Sequence, residues 1–287
     1  MSDHNSSAPN LYSSAKSIPT AMGKRLWQPS LEQLKNAEVT DFARYVRARH
    51  GFDWNGDFQA LWRWSVTEIP TFWEAVWHWH GIIGDMGQRR LVNETEMPGA
   101  IFFPDARLNF AENLLANADD SPAISAHGED GRHVTLSRAE LASKVLALAG
   151  WLKANNVVKG DRVAAYTPNV AEAVITMLAT ATLGAAYSSC SPDFGINGAI
   201  DRFSQIEPKV LMACDGYFYS GKKIKRMQLV ADLAAKLPSL EAVLILPYLD
   251  DAPDCSMISN AVIFETAIKT ATPVTDFTRI GFNDPLY

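Results

Sequence analysis

The densest run of cations in the chain is Lys222, Lys223, Lys225 and Arg226, just past an apolar stretch, Lys209–Cys214, that reads as a strand. The residues Gly216-Tyr217-Phe218-Tyr219-Ser220-Gly221-Lys222-Lys223 match the phosphate-cradling pattern G-x-x-x-x-G-K-[ST] in all but the last place. Three features argue against a nucleoside triphosphatase of that kind. Lys223 brings no hydroxyl for Mg2+, three aromatics crowd the would-be loop, and the next apolar strand, 243–246, runs into Pro247 instead of an aspartate. A more general anion site survives. Basic side chains at a strand end, with a helix predicted over Arg226–Leu237, favour negative charge through both their own charge and exposed backbone N–H groups. A solvated helix start accounts for the same residues equally well.

The other candidates are weaker. Ser191 and Asp193 around Pro192 have the composition of a turn and a helix cap, which is the commoner use of such a cluster. The matches to S-x-x-K at Ser13 and Ser220 are discarded, and neither G-x-G-x-x-G nor G-x-S-x-G occurs. Asp119-Asp120 and Asp250-Asp251 lie in polar loop-like stretches and read as solvated. His78 and His80 are two apart, so on a helix they face different ways, and no metal is expected. Trp54, Trp62, Trp64, Trp73, Trp77 and Trp79 could form a stacking platform for bases or sugars. Phe72, Trp73, Val76, Trp77 and His80 have helical spacing and no interleaved basic residues, which favours a helical cap held by large apolar side chains.

The elements that must position these residues follow from periodicity. From Lys159 to Cys214, short apolar strands alternate with helical runs, which predicts a parallel sheet with right-handed crossovers. Ligands bind at the carboxyl ends of such strands, here the loops expected after Tyr166, Tyr187 and Cys214. Upstream, Ser30 and Gln33 form a capping box, and a helix is predicted over Asp41–His50 with Thr40 as cap and Gly51 past its end. A helix carrying Leu108, Ala111, Leu114 and Leu115 opens the main domain. A hairpin of 123–126 with 133–136 and a helix capped by Ser137-Arg138-Ala139-Glu140, burying Leu141, Val145, Leu148 and Leu152, come next. Strands are predicted over Glu241–Leu246 and Ala261–Phe264, and Phe282–Tyr287 reads as the entrance to a further strand.

The 287 residues, 47% hydrophobic and 20% charged, can build one large or two modest globular domains. A net charge of -6 argues against a broad surface for nucleic acid or anionic membrane. Three cysteines without a C-x-x-C pair suit a reducing, cytoplasmic setting. The first twenty residues lack the apolar core of a secretory signal and read as disordered. The run 173–187 is shorter than the roughly 20 residues of a membrane span.

Five stretches in order carry a resemblance: Leu26-Trp27-Gln28-Pro29-Ser30, Arg107–Leu115, Gly160-Asp161-Arg162-Val163, Ser191-Pro192-Asp193-Phe194-Gly195 and Asp201-Arg202-Phe203-Ser204-Gln205-Ile206. Together they resemble the acyl-CoA synthetases, the adenylate-forming enzymes, and the last two favour the branch acting on acetoacetate over the acetate branch. The resemblance implies a disordered tail (1–24), an N-terminal helical, Trp-rich cap (25–100) and an incomplete αβαβα-type α/β parallel-sheet subdomain (101–287). It implies ligation of a small-molecule acid to CoA through an acyl-adenylate. The family's phosphate loop, its adenine and ribose motifs and its small C-terminal domain with a catalytic lysine would lie beyond Tyr287. The chain is thus expected to be an N-terminal portion, missing the C-terminal half of the enzyme and unable to form adenylate alone. ATP and Mg2+ are expected only for the full-length enzyme. On the CoA side, Tyr219-Ser220-Gly221-Lys222 matches an Arg-x-Gly-Arg/Lys stretch that contacts the 3′-phosphate, with Tyr219 in place of the first arginine. The resemblance accordingly assigns Lys222 and Lys223 to CoA, and Tyr187, with Ser188 and Ser189 beside it, to the neighbourhood of the CoA adenine.

Overall fold

A computed structural model describes residues 26–52 and 54–287; the tail expected to be disordered lies outside the described residues. The elements run α1 (Leu31–Lys35), α2 (Glu38–His50), α3 (Phe58–Thr67), α4 (Ile69–Trp79), β1 (Gly84–Asp85), β2 (Leu91–Val92), β3 (Ile101–Phe102), β4 (Arg107–Leu108), α5 (Phe110–Leu114), β5 (Pro122–His127), β6 (His133–Ser137) and α6 (Arg138–Ala154). They continue β7 (Arg162–Tyr166), α7 (Ala171–Thr182), β8 (Ala186–Cys190), α8 (Ile196–Ser204), β9 (Val210–Cys214), β10 (Gly216–Tyr219), β11 (Lys222–Lys225), α9 (Met227–Ala235), β12 (Ala242–Leu246), β13 (Ala261–Ile263) and α10 (Phe264–Thr270). The chain divides into two compact units, one holding Met1–Ile82 with Gln88–Pro104, the other Ile83–Gly87 with Asp105–Tyr287.

In the first unit the capping box at Ser30 forms as its sequence predicts. Helix α2 starts at Glu38, three residues before the predicted start. Thr40 is therefore no cap: it is buried, and its hydroxyl donates to the Leu34 carbonyl at 2.6 Å. Gly51 does end that helix in the left-handed region, at φ 65°. The aromatic side chains pack on one another: Phe42 meets Phe72 and Trp79 edge-on, and Trp64 meets Phe72 the same way. The predicted single stripe on α4 is two. Phe72, Val76, Trp79 and His80 line a groove of about 350 Å³ with Phe42, Leu61 and Trp62, whereas Trp73 and Trp77 turn to Phe102 and Phe103.

The second unit is built on a five-stranded sheet in the order β13-β12-β9-β7-β8, every pairing parallel. Strand β7 comes first in the chain and lies between β8, at one edge, and β9, the middle strand. The chain then lays β8 on one side and crosses to lay β9, β12 and β13 on the other. That reversal puts a topological switch point between the carboxyl ends of β7 and β9. Alternation along the strands feeds two cores. Val163, Ala165, Met212 and Leu244 bury against α6, α7 and α10; Ala164, Tyr166, Leu211 and Ile245 bury against α8 and α9.

Several local expectations are refined. The Ser137 capping box forms and starts α6, which buries Leu141, Val145, Leu148 and Leu152. Leu108 is not on a helix with Ala111 and Leu114. It sits in β4, and the short α5 follows Asn109, whose fully buried amide donates to the carbonyls of Ala181 and Thr278, both at 2.7 Å. Phe264 ends no strand but opens α10. Beyond it, Leu286 reaches the outer edge of β8, where its carbonyl accepts the Tyr187 N–H at 2.9 Å.

Candidate functional site

The carboxyl edge of the sheet gathers the loops after Tyr166, Cys190 and Cys214. Tyr187, predicted to precede a loop, is instead the second residue of β8, paired with Val163 and buried. Four of the five β8 residues are small, which lets α7 cover it closely, and the turn comes only after Cys190.

The loop Ser191–Gly195 is tied down from two sides. The Tyr166 hydroxyl, at the end of β7, lies 2.8 Å from the Pro192 carbonyl and 2.6 Å from that of Phe194, and donates to the pair. Arg226 Nε donates to the same Pro192 carbonyl at 2.8 Å, while its other nitrogen reaches the Tyr217 hydroxyl at 3.2 Å and its plane lies over the Tyr217 ring. Burial pushes the Tyr166 phenol up to about 12, so at neutral pH it keeps the proton it donates. Arg202 lies over the Phe194 ring at 4.5 Å and holds the far side of the loop. Ser191 and Asp193 remain exposed at its rim.

The loop after β12 is knitted to the same edge by Asp215, the residue following β9. Its carboxylate is 4% exposed and accepts N–H bonds from Tyr248 (2.7 Å), Leu249 (2.9 Å) and Asp250 (2.8 Å). Three backbone donors converging on one buried carboxylate compensate its desolvation.

Between the carboxyl ends of β7 and β8 lies a pocket of about 320 Å³ lined by Thr167, Pro168, Asn169, Ala173, Tyr187, Ser189, Cys190 and Ser191. None of these side chains is charged at neutral pH. Burial raises the Tyr187 phenol to about 12, partly offset by its hydrogen bond with Ser189, and raises the Cys190 thiol to about 11. The Thr167 hydroxyl is buried in the wall of this pocket without a hydrogen-bond partner. An unsatisfied buried hydroxyl costs about 1–3 kcal/mol, so this one is poised for a polar group that enters the pocket.

The basic run stands elsewhere. Gly216–Tyr219 and Lys222–Lys225 form an antiparallel hairpin, Tyr219 opposite Lys222 and Phe218 opposite Lys223, closed by Ser220 (φ 51°) and Gly221 (φ 73°). Two central residues with positive φ make the tight turn that matches strand twist, and only glycine takes that conformation without strain. The phosphate-loop geometry suggested by the spacing is therefore absent, and α9 begins after Arg226, so Lys222 and Lys223 do not sit on a helix start. As neighbours in a strand they point to opposite faces. Lys222 is exposed beside Tyr219, and the Lys223 ammonium lies 5.6 Å from the centre of the Phe218 ring. Of the residues the resemblance assigns to CoA, the structure brings Tyr187 and Ser189 together in the pocket; Lys222 and Lys223 are not among its lining residues. Arg226 joins the two regions, since it follows β11 directly and grips the Pro192 carbonyl. The sequence reading missed the roles of Thr167, Tyr166 and Asp215. The only signal for them was position, each lying at or just after the end of a predicted central strand.

A parallel α/β sheet with a switch point at this edge defines a class of ligand-binding α/β domains, and comparison with known proteins makes it specific. Residues 110–272 match the model of the AMP-binding enzymes, and the chain belongs to that family. It is 41% identical over 266 residues to an acetoacetyl-coenzyme A synthetase of Rhizobium meliloti (strain 1021), covering 91% of this chain and 40% of the relative. It is 33% identical over 272 residues to an acetoacetyl-CoA synthetase of Macaca fascicularis, again with 91% and 40% covered. The acetoacetyl-CoA synthetase of Streptomyces lividans, a solved structure, superposes with a TM-score of 0.83 at 38% identity, covering 92% of this chain and 41% of that one. The chain thus spans about 40% of the length of the curated relatives it matches.

Proposed function

We propose that this chain is the N-terminal part of an acetoacetate–CoA ligase and supplies part of its CoA site. The observation that carries this reading is the 41% identity to the Rhizobium meliloti protein across 91% of the chain. In the complete reaction, acetoacetate displaces pyrophosphate from ATP to give acetoacetyl-adenylate, and the CoA thiol then displaces AMP. The carboxyl edge described above serves the second step. Lys222 is a solvent-facing cation suited to a phosphate of CoA, and the uncharged pocket at Tyr187, Ser189 and Thr167 suits a neutral part of the same molecule. Lys223, on the other face of β11, contributes to the field around the hairpin. Among the described residues no three or more His, Cys, Asp or Glu side chains group so as to hold a metal ion. Likewise among the described residues, no helix is long and apolar enough to cross a membrane.

Two experiments test the reading. The chain alone, mixed with acetoacetate, ATP and Mg2+, is expected to release no pyrophosphate; release at the rate of a complete relative would overturn the assignment as a part. In the complete enzyme, Lys222→Ala is expected to weaken CoA binding by about 1.5–3 kcal/mol, the scale of a hydrogen bond to a charged group. Dephospho-CoA, which lacks the 3′-phosphate, should be barely affected. Equal losses for both ligands would remove Lys222 from the phosphate site.

A further inference from the structure

The β5–β6 hairpin, whose Arg132 donates to the Tyr248 carbonyl at 3.0 Å beside the loop after β12, carries a second set of side chains that the ligase reading does not use. The strands pair antiparallel with His127 opposite His133 and Ser125 opposite Thr135. Gly128 N–H donates to the Arg132 carbonyl at 2.8 Å and closes the turn. His127 and His133 then occupy the adjacent narrow rung, where opposed side chains approach most closely. Period-two alternation turns Ile124, Val134 and Leu136 into the core and leaves Ser125, His127, His133 and Thr135 together on the exposed face.

The geometry on that face is convergent. The two imidazoles stack with centres 4.2 Å apart and planes within 13°. Ser125 Oγ lies 3.3 Å from His127 Nε2 and 3.0 Å from His133 Nε2, and Thr135 Oγ1 lies 3.4 Å from His133 Nε2. Both ring nitrogens are thus aimed at one hydroxyl. That hydroxyl has a single proton and cannot donate to two lone pairs, so one imidazole must carry its own proton on Nε2 to complete the network. A shared cation resolves the competition: it takes both lone pairs at once.

We propose that this hairpin face binds a divalent transition-metal ion, with Zn2+ as the reference case, through His127 Nε2 and His133 Nε2, Ser125 Oγ and solvent completing the shell. A tetrahedral ion at about 2.0–2.1 Å from each nitrogen needs them roughly 3.3 Å apart. Stacked at 4.2 Å with planes within 13°, the rings hold their lone pairs nearly parallel, so coordination requires one exposed imidazole to swing about its side-chain bonds until its Nε2 converges with the other. Imidazole donors without a carboxylate or thiolate select Zn2+, Cu2+ or Ni2+ over Mg2+ and Ca2+. The sequence reading considered only the His78, His80 pair for metal. Hairpin pairing, not sequence spacing, creates this one.

The whole chain, freed of metal, is titrated with Zn2+ by calorimetry while the imidazole signals are followed by NMR. One equivalent is expected to bind and to shift both the His127 and His133 rings. His127→Gln and His133→Gln should each weaken binding by at least about tenfold, with the far-UV spectrum and unfolding midpoint unchanged, whereas His78→Gln should leave binding intact. Mg2+ at the same concentration should shift neither ring. No Zn2+ uptake at millimolar metal, wild-type affinity in either hairpin variant, or a loss that tracks His78 would each overturn the site. The outcome is independent of CoA binding, so it stands or falls apart from the ligase reading.

Discussion

The loop Ser191–Gly195 and the hairpin Gly216–Lys225 lie at the same edge of one sheet and both carry residues picked out by family resemblance, yet they are held in opposite ways. The loop's carbonyls are gripped by Tyr166 and Arg226. The loop after β12 is likewise gripped, by Asp215. The hairpin's outer strand is exposed at Lys222, Lys223 and Lys225, and its tip is a two-residue turn whose Gly221 N–H makes a long 3.5 Å bond to Glu129. The difference teaches that shape at this edge comes from buried donors and acceptors, while charge is displayed on an exposed strand. A ligand with a neutral body and a charged end fits that division.

The comparison breaks most completely in alkali. Tyr166, Tyr187 and Cys214 are pushed up to about 12 and Cys190 to about 11, chiefly by burial. Each is an acid whose folded pKa exceeds its unfolded value, so the fold binds more protons than the unfolded chain once pH passes the ordinary range of about 8.5–10. The contribution of these groups to stability should be constant from neutral pH up to that range and fall steadily from there through about 12. Urea unfolding midpoints measured from pH 7 to 11 check this, and a flat profile would contradict it.

Among substitutions, Asp215→Ala should cost the most, about 3 kcal/mol or more, because three backbone N–H groups lose a charged, buried acceptor. Equilibrium unfolding reads the loss, and hydrogen exchange at Tyr248–Asp250 should accelerate with it. Tyr166→Phe keeps the packing and removes one hydroxyl, so about 1–2 kcal/mol is expected, with faster exchange confined to the Ser191–Gly195 loop. Thr167→Val sharpens the comparison from the other side. Replacing an unpartnered buried hydroxyl by a methyl should stabilise the chain by about 1 kcal/mol. Destabilisation would show that the hydroxyl is already satisfied. Lys222→Ala should change stability by less than about 0.5 kcal/mol, as for most exposed side chains, while lowering CoA affinity in the complete enzyme.

Much of the local structure was legible in advance. Capping boxes at Ser30 and Ser137, the hairpin of β5 and β6 and the alternation of β7, α7, β8, α8 and β9 all depend on interactions within a few residues or on one-face periodicity. Local readings failed where a distant partner decided the outcome. Leu108 leaves the helical pattern because it pairs with Ile280, 172 positions on. The Gly216–Lys223 spacing misled because Ser220-Gly221 was read as part of a phosphate loop and not as a two-residue hairpin turn between alternating strands.

Sequence by itself determined the parallel α/β class, the charge carried by Lys222 and its neighbours and the family, because composition, periodicity and ordered motifs are properties of the chain. Only the tertiary structure decided that Tyr187 is a core residue, that Arg226 is engaged with Pro192 and Tyr217, that Thr167 is left without a partner, and that His127 meets His133. Each of those outcomes depends on which strand lies beside which and in what register, and a one-residue slip would turn Tyr187, His127 and His133 to the other face.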